Sequence, residues 1–184
     1  MKAIAITTAV LALVMTASAQ TSAPTAKPPG LTEKLASRHE TAVINHMRVY
    51  IFRLRPGDDL LESIQAFARA HHIQAAVVLS GVGSLTQASI RFANQPDTAV
   101  SAGHFEIVSL TGTVEQGGEH LHLSVSTEKG ETLGGHLMPG CKIYTTAEIA
   151  LGELQGVRFA RETDREGSGW DELKIYPAVP VKPH

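Results

Sequence analysis

The chain has 184 residues, 43% hydrophobic and 18% charged, a globular composition too short for several large domains. A formal net charge of −2 argues against a surface built to coat nucleic acid or anionic lipid, and a single cysteine, Cys141, excludes an internal disulfide or a multi-cysteine zinc site. Nine histidines stand against five Phe, three Tyr and one Trp, so imidazole is over-supplied relative to aromatic side chains.

Met1-Lys2 gives a positive start, residues 3–15 run apolar apart from Thr7 and Thr8, and Ala17-Ser18-Ala19 places small residues in an A-x-A pattern. This predicts a secretory signal peptide over residues 1–19. The apolar run falls short of the ~20 residues needed to span a bilayer, so no membrane span is expected after cleavage. Cleavage removes Lys2 and takes the net charge from −2 to −3. Residues 20–45, opening with a Ser-, Thr- and Pro-rich stretch, read as a flexible leader. The protein is therefore expected to be exported, to a periplasm or the extracellular space. An unpaired cysteine in that setting is expected to be buried.

Residues 46–178 read as one domain, with 179–184 as a short tail; no linker, charge block or internal repeat interrupts it. Residues 48–54 form an apolar strand pattern, stopped by Arg55-Pro56-Gly57. Asp58 and Asp59 offer N-cap oxygens, and Glu62 follows three residues after Asp59, as in a capping box. Leu60, Leu61, Ile64, Phe67 and Ala68 recur at helical spacing and predict an amphipathic helix over 59–71. A short strand at 75–79 and a glycine-rich turn at Ser80-Gly81-Val82-Gly83-Ser84 come next. Further strands are expected at 88–93, 105–114, 120–126, 143–151, 157–161 and 173–176. A helix followed by a run of strands predicts an α+β domain: a mainly antiparallel sheet with one or two packed helices. Gly81-x-Gly83 lacks the third glycine of a dinucleotide fingerprint, and Ser80 and Ser84 lack a G-x-S-x-G elbow.

The histidines gather between residues 119 and 136. Leu121, Leu123 and Val125 alternate with His120, His122, Ser124 and Ser126, so one strand face is core and the other carries two imidazoles and two hydroxyls. If Glu128-Lys129-Gly130 is a three-residue loop with Gly130 left-handed, Thr127 pairs with Glu131, and counting outwards sets His122 opposite His136. His120 is then within diagonal reach, and three imidazoles form the ligand set of a zinc site with an open fourth position. A two-residue loop would send His136 to the other face, and Gly134-Gly135 could bulge the strand. The plainer reading is a solvated, hydrogen-bonded His face. The two glycines suit a backbone that passes close to a ligand or a partner chain. His39, His46, His71, His72, His104 and His184 are scattered and are not taken as ligands. Glu148 and Glu106 lie in apolar strand contexts and are the candidate catalytic carboxylates, as proton acceptors or partners of the imidazoles.

Several stretches, in order, resemble the PPC domain family, the plant-and-prokaryote-conserved domain. Gly103-His104-Phe105-Glu106-Ile107-Val108-Ser109-Leu110-Thr111-Gly112 is similar to its G-R-F-E-I-L-S-L-S-G signature. His120-Leu121-His122-Leu123-Ser124 is similar to its H-x-H-x-S strand, and Gly134-Gly135-His136-Leu137, Gly140-Cys141 and Thr146-Ala147-Glu148 resemble the run that follows. Ser80-Gly81-Val82-Gly83 resembles its S-G-I-G turn. The likeness covers about residues 48–176. It implies an α+β domain that assembles as a homotrimer, accompanied in plants by AT-hook DNA-binding segments, with some prokaryotic members binding metal through histidines corresponding to His120, His122 and His136. His104 replaces the family's usual arginine, and no R-G-R-P hook core is present. The expectation is an exported trimeric protein with a site for Zn2+, another divalent transition metal or a small molecule, and no assigned reaction. The alternatives are a metal-free interaction module and a DNA-binding protein, the latter disfavoured by charge and export.

Overall fold

The computed structural model describes residues 42–178; the expected signal peptide, most of the expected leader and the tail lie outside the described residues. The elements in chain order are β1 (Met47–Leu54), α1 (Leu60–Ala70), β2 (Ala76–Arg91), β3 (Thr98–Glu115), β4 (Gly118–Thr127), β5 (Thr132–Leu137), β6 (Lys142–Leu154), β7 (Val157–Thr163) and β8 (Asp171–Pro177). Among the described residues this is a mostly antiparallel sheet with a single short helix, where the sequence allowed one or two. No helix among the described residues is long and apolar enough to cross a membrane.

Six strands form one sheet in the order β1-β6-β2-β3-β4-β5, every pairing antiparallel, and β7 pairs with β8 as a separate hairpin. The end of β2 reaches the far edge as well: Ile90 pairs with Leu137 and Arg91 with His136. The sheet therefore curls until β5 meets β2. Register shifts between Val78 and Ser80, Gly83 and Leu85, and Leu85 and Gln87 supply the bends.

The turn expected at residues 80–84 is not there; those residues continue β2. Their glycines serve close approach instead of reversal. A Cβ on Gly83, whose φ is +153°, would lie 2.2 Å from the Thr146 carbonyl oxygen, and one on Gly81 would lie 2.9 Å from Leu110 Cβ. The two short strands expected on either side are one strand of 16 residues.

The helix begins where the capping pattern predicts. Asp59 Oδ1 accepts from the Glu62 backbone N–H at 3.1 Å, and Leu60, Leu61, Ile64 and Ala68 bury the apolar stripe. Phe67 stacks on Phe52 of β1 with ring centroids 4.1 Å apart. Asp59 also reaches out of its own helix: Oδ2 accepts from Gly140 N–H at 2.7 Å, with Lys142 Nζ at 3.4 Å. The same buried carboxylate thus caps α1 and ties it to the turn between β5 and β6. Lys142 is about half exposed, so most of the stabilisation comes from the two backbone donors.

Cys141 is fully buried, as expected. Its sulfur accepts from Ser89 N–H at 3.1 Å, and burial pushes the thiol up to about 11.

Asp59→Ala removes a cap and leaves two N–H groups without their partner. It should cost about 1–3 kcal/mol of unfolding free energy in urea titration; an unchanged midpoint would contradict this role. Cys141 should stay inert to a chromogenic disulfide reagent at about pH 8 in the folded protein and react within minutes in denaturant. Fast reaction of the folded protein would show that the thiol is accessible.

Candidate metal centre

The reversal between β4 and β5 has the three-residue form. Thr127 N–H bonds to the Glu131 carbonyl at 2.9 Å, Gly130 N–H bonds to the Thr127 carbonyl at 2.8 Å, and Gly130 has φ +79°. His122 pairs directly with His136 as a result. Leu121, Leu123 and Val125 turn into the core, at 2% exposure or less, and His120 and His122 turn outwards.

The pairing extends across four strands. Arg91 of β2 pairs with His136 of β5, His136 with His122 of β4, and His122 with Thr111 of β3. His120 lies two residues along, paired with Thr113. The imidazole centroids are 4.5 Å apart for His122 and His136, 5.0 Å for His120 and His136, and 5.1 Å for His120 and His122. One ligand nitrogen from each ring lies within 4.8 Å of the other two.

Gly134 and Gly135 make room for neighbouring strands of the same chain. A Cβ on Gly135 would stand 2.5 Å from the Arg91 carbonyl oxygen, and one on Gly134 would stand 2.9 Å from that of Leu123. These glycines let β5 fit between β4 and the end of β2, which aims His136 at the other rings.

Burial and the neighbouring charges lower the proton affinity of two of the rings. Burial first, then Arg161 and His122, keep His120 below the ordinary imidazole value, with Glu172 opposing. Burial first, then Arg91 and the two other histidines, do the same to His136. A neutral imidazole presents the lone pair that a metal takes.

Two hollows adjoin the rings. An open cleft of about 730 Å³ runs along His120 and His136, bounded by Arg91, Asn94, Gln95, Arg161, Trp170 and Glu172 among others. A smaller one, about 280 Å³, lies by His120, His122, Thr111 and Thr113, again with Arg161 and Glu172. Behind them, Arg161 Nη2 donates to Thr113 Oγ1 at 2.6 Å and Arg161 Nε lies 3.4 Å from Glu115 Oε1. Glu115 is 5% exposed, and neither of its oxygens accepts a hydrogen bond among the described residues.

Glu106 and Glu148, the carboxylates picked from the sequence, stand elsewhere. Both are exposed, Glu106 opposite Ser84 and Ser126 and Glu148 opposite Arg53 and Val82, and neither lines the hollows beside the histidines. His104 also stands apart, stacked on Tyr144 with centroids 4.3 Å apart and 3.3 Å from Glu128.

The family model described as the Plants and Prokaryotes Conserved (PCC) domain matches residues 42–155. The chain belongs to the PCC domain family. It is 43% identical over 166 residues to a bifunctional protein GlmU of a Synechococcus species, covering 87% of this chain and 26% of that protein, so the chain spans about a quarter of that relative. It is 29% identical over 160 residues to AT-hook motif nuclear-localized protein 20 of Arabidopsis thaliana, covering 79% of this chain and 56% of the relative. A hypothetical protein of Salmonella cholerae-suis superposes with a TM-score of 0.72 at 41% identity, over 77% of this chain and all of that one. A protein of Archaeoglobus fulgidus described as metal-containing superposes with a TM-score of 0.61 at 26% identity, over 72% of this chain and 99% of that one.

The β7–β8 hairpin lies beyond the matched PCC region yet walls the PCC domain's cleft with Arg161, Trp170, Asp171 and Glu172. Sequence reasoning passed over these residues, and over Arg91 and Glu115. Each reaches the histidines through distant pairing or hairpin docking, for which a single sequence carries no local signal.

Burial pushes the Glu115 carboxyl above its ordinary value, against the pull of Arg161. A folded-state value above the unfolded one favours the protonated folded form. That contribution is present below the ordinary carboxylate range and is lost as pH rises through the raised value. Urea midpoints measured from about pH 4 to 8 should decline less with rising pH in Glu115→Gln than in the parent; parallel curves would show that Glu115 does not titrate in this way.

Proposed function

We propose that this PCC-domain protein binds a divalent transition metal, zinc in the first instance, through His120, His122 and His136. The observation that carries the reading is the convergence of three imidazole nitrogens within 4.8 Å of one another on one β4–β5 ladder. One ion at ~2.1 Å from each nitrogen needs them within ~4 Å of one another, a closure that turning the exposed His120 and His122 rings supplies. Burial lowers the proton affinity of two of the rings, which favours the neutral form that ligates. The description of the Archaeoglobus fulgidus relative as metal-containing supports the same reading. Three imidazoles also suit copper, nickel or iron.

A three-histidine set leaves a coordination position for water or a ligand, and a bound metal there supplies Lewis acidity. Among the carboxylates, Glu172 stands by His120 and suits orienting a ligand or accepting a proton better than Glu148 or Glu106. No reaction is assigned. Export rests on the pattern in residues 1–19. Self-association is supported by large apolar side chains that stay exposed on outward-facing strand positions, among them Ile51 at 81% and Val82 and Val108 at more than half, and the family resemblance makes a homotrimer the form proposed. DNA binding is the weaker reading, since the net charge is negative and no R-G-R-P hook is present.

Untagged protein should carry about one metal ion per chain by elemental analysis, in particles three times the chain mass by light scattering. His122→Ala should remain folded and lose the metal. A metal-free parent that also fails to take up zinc on titration would end the metal reading, and a monomer would end the assembly reading separately.

A further inference from the structure

The cleft beside the histidines is lined by three carboxylates and two arginines, and the two arginines are held differently. Its carboxylates are engaged: Gln65 donates to Glu119, Thr163 Oγ1 to Asp171 at 2.7 Å, and Ser168 Oγ to Glu172 at 2.7 Å. Arg161 is engaged too, between Thr113 and the buried Glu115. Arg91 is different. It is half-buried, it stands next to His136 in the ladder, and among the described residues it has no carboxylate partner. Its guanidinium reaches only the Gln95 carbonyl, at 3.5 Å. A guanidinium without an anion, lining a cleft large enough for a small molecule, has donors to give. Asn94 and Gln95 line the same side with neutral amides, and Trp170, 76% exposed, supplies an aromatic wall.

We propose that this cleft binds a small organic oxyanion, a carboxylate or phosphate group seated between the histidine-held metal and Arg91, with its organic part against Trp170. The inference rests on the metal reading of His120, His122 and His136. Arg91 fits because guanidinium donors match the paired oxygens of carboxylate and phosphate, and the metal's open position takes an oxygen from the other side. Arg91 is the strand partner of His136, and both line the cleft. The anion therefore belongs at the His136 end, by Arg91. Arg161, which donates to Thr113 and stands beside the buried Glu115, ties β7 to β3.

The test uses the full mature protein loaded with zinc, after calorimetry has shown zinc uptake. Benzoate, phenyl phosphate and the neutral isostere benzamide are then titrated by calorimetry, and Trp170, the chain's only tryptophan, reports by fluorescence. At least one of the two anions should bind ~10-fold or more tightly than benzamide, and the tighter one identifies the group recognised. Arg91→Gln should keep the zinc stoichiometry and lose ~10-fold or more in anion affinity, with Arg91→Lys restoring part of it. If zinc binds but both anions bind no better than benzamide, or Arg91→Gln binds them as well as the parent, the oxyanion inference fails and the metal reading stands. Failure of zinc to bind at all overturns the metal reading itself.

Discussion

A three-residue reversal closed by Gly130 sets the register of β4 against β5, and that register decides which side chains share a face. Side chains alternate along a strand, so a slip of one residue would turn His136 into the core and carry Leu137, 4% exposed, outwards. The apolar side chains Leu121, Leu123, Val125 and Leu137 hold the register from one side as the loop holds it from the end. Burial of that stripe and assembly of the imidazoles are therefore one event. The chain cannot form its core here without gathering the histidines.

The gathering also needs β2. The long β2 strand runs on past the end of its pairing with β6 to meet β5, and Arg91 pairs with His136 only because Gly135 lets the backbones close. An ordinary side chain at Gly135 would push β5 away from β2. The bends that carry β2 there fall around Ser80 to Gln87. A glycine-rich stretch in the middle of the chain thus shapes a site formed at its far end.

Local patterns made much of this legible. The capping of α1 by Asp59, the outward turn of His120 and His122, and the pairing of His122 with His136 all follow from period, cap and loop chemistry within a few residues. The Ser80–Ser84 stretch misled because glycine reads the same way for a turn as for a strand pressed against a neighbour. Glu106 and Glu148 misled for a related reason. Carboxylates in apolar strands are found from sequence, but which ones meet a given site depends on strand order, and here they face other parts of the sheet. Arg91, Glu115 and Arg161 were out of reach because their neighbours are remote in the chain.

The division of labour across the cleft follows from how each part is held. The histidines and Arg91 sit on strands bound edge to edge by backbone hydrogen bonds, so their spacing is a property of the sheet. The β7–β8 hairpin meets the rest of the domain through fewer ties: the Phe159 N–H to the Gln74 carbonyl at 2.9 Å, the buried Phe159 ring, and Arg161 between Thr113 and Glu115. Its residues lie outside the matched family region. Changes at Trp170 or Glu172 would reshape the wall without moving a histidine, whereas changes at Gly135 or Gly130 would move a histidine whatever the wall. The sheet is accordingly the part that sets whether a metal can be held, and the hairpin the part that sets what may approach it.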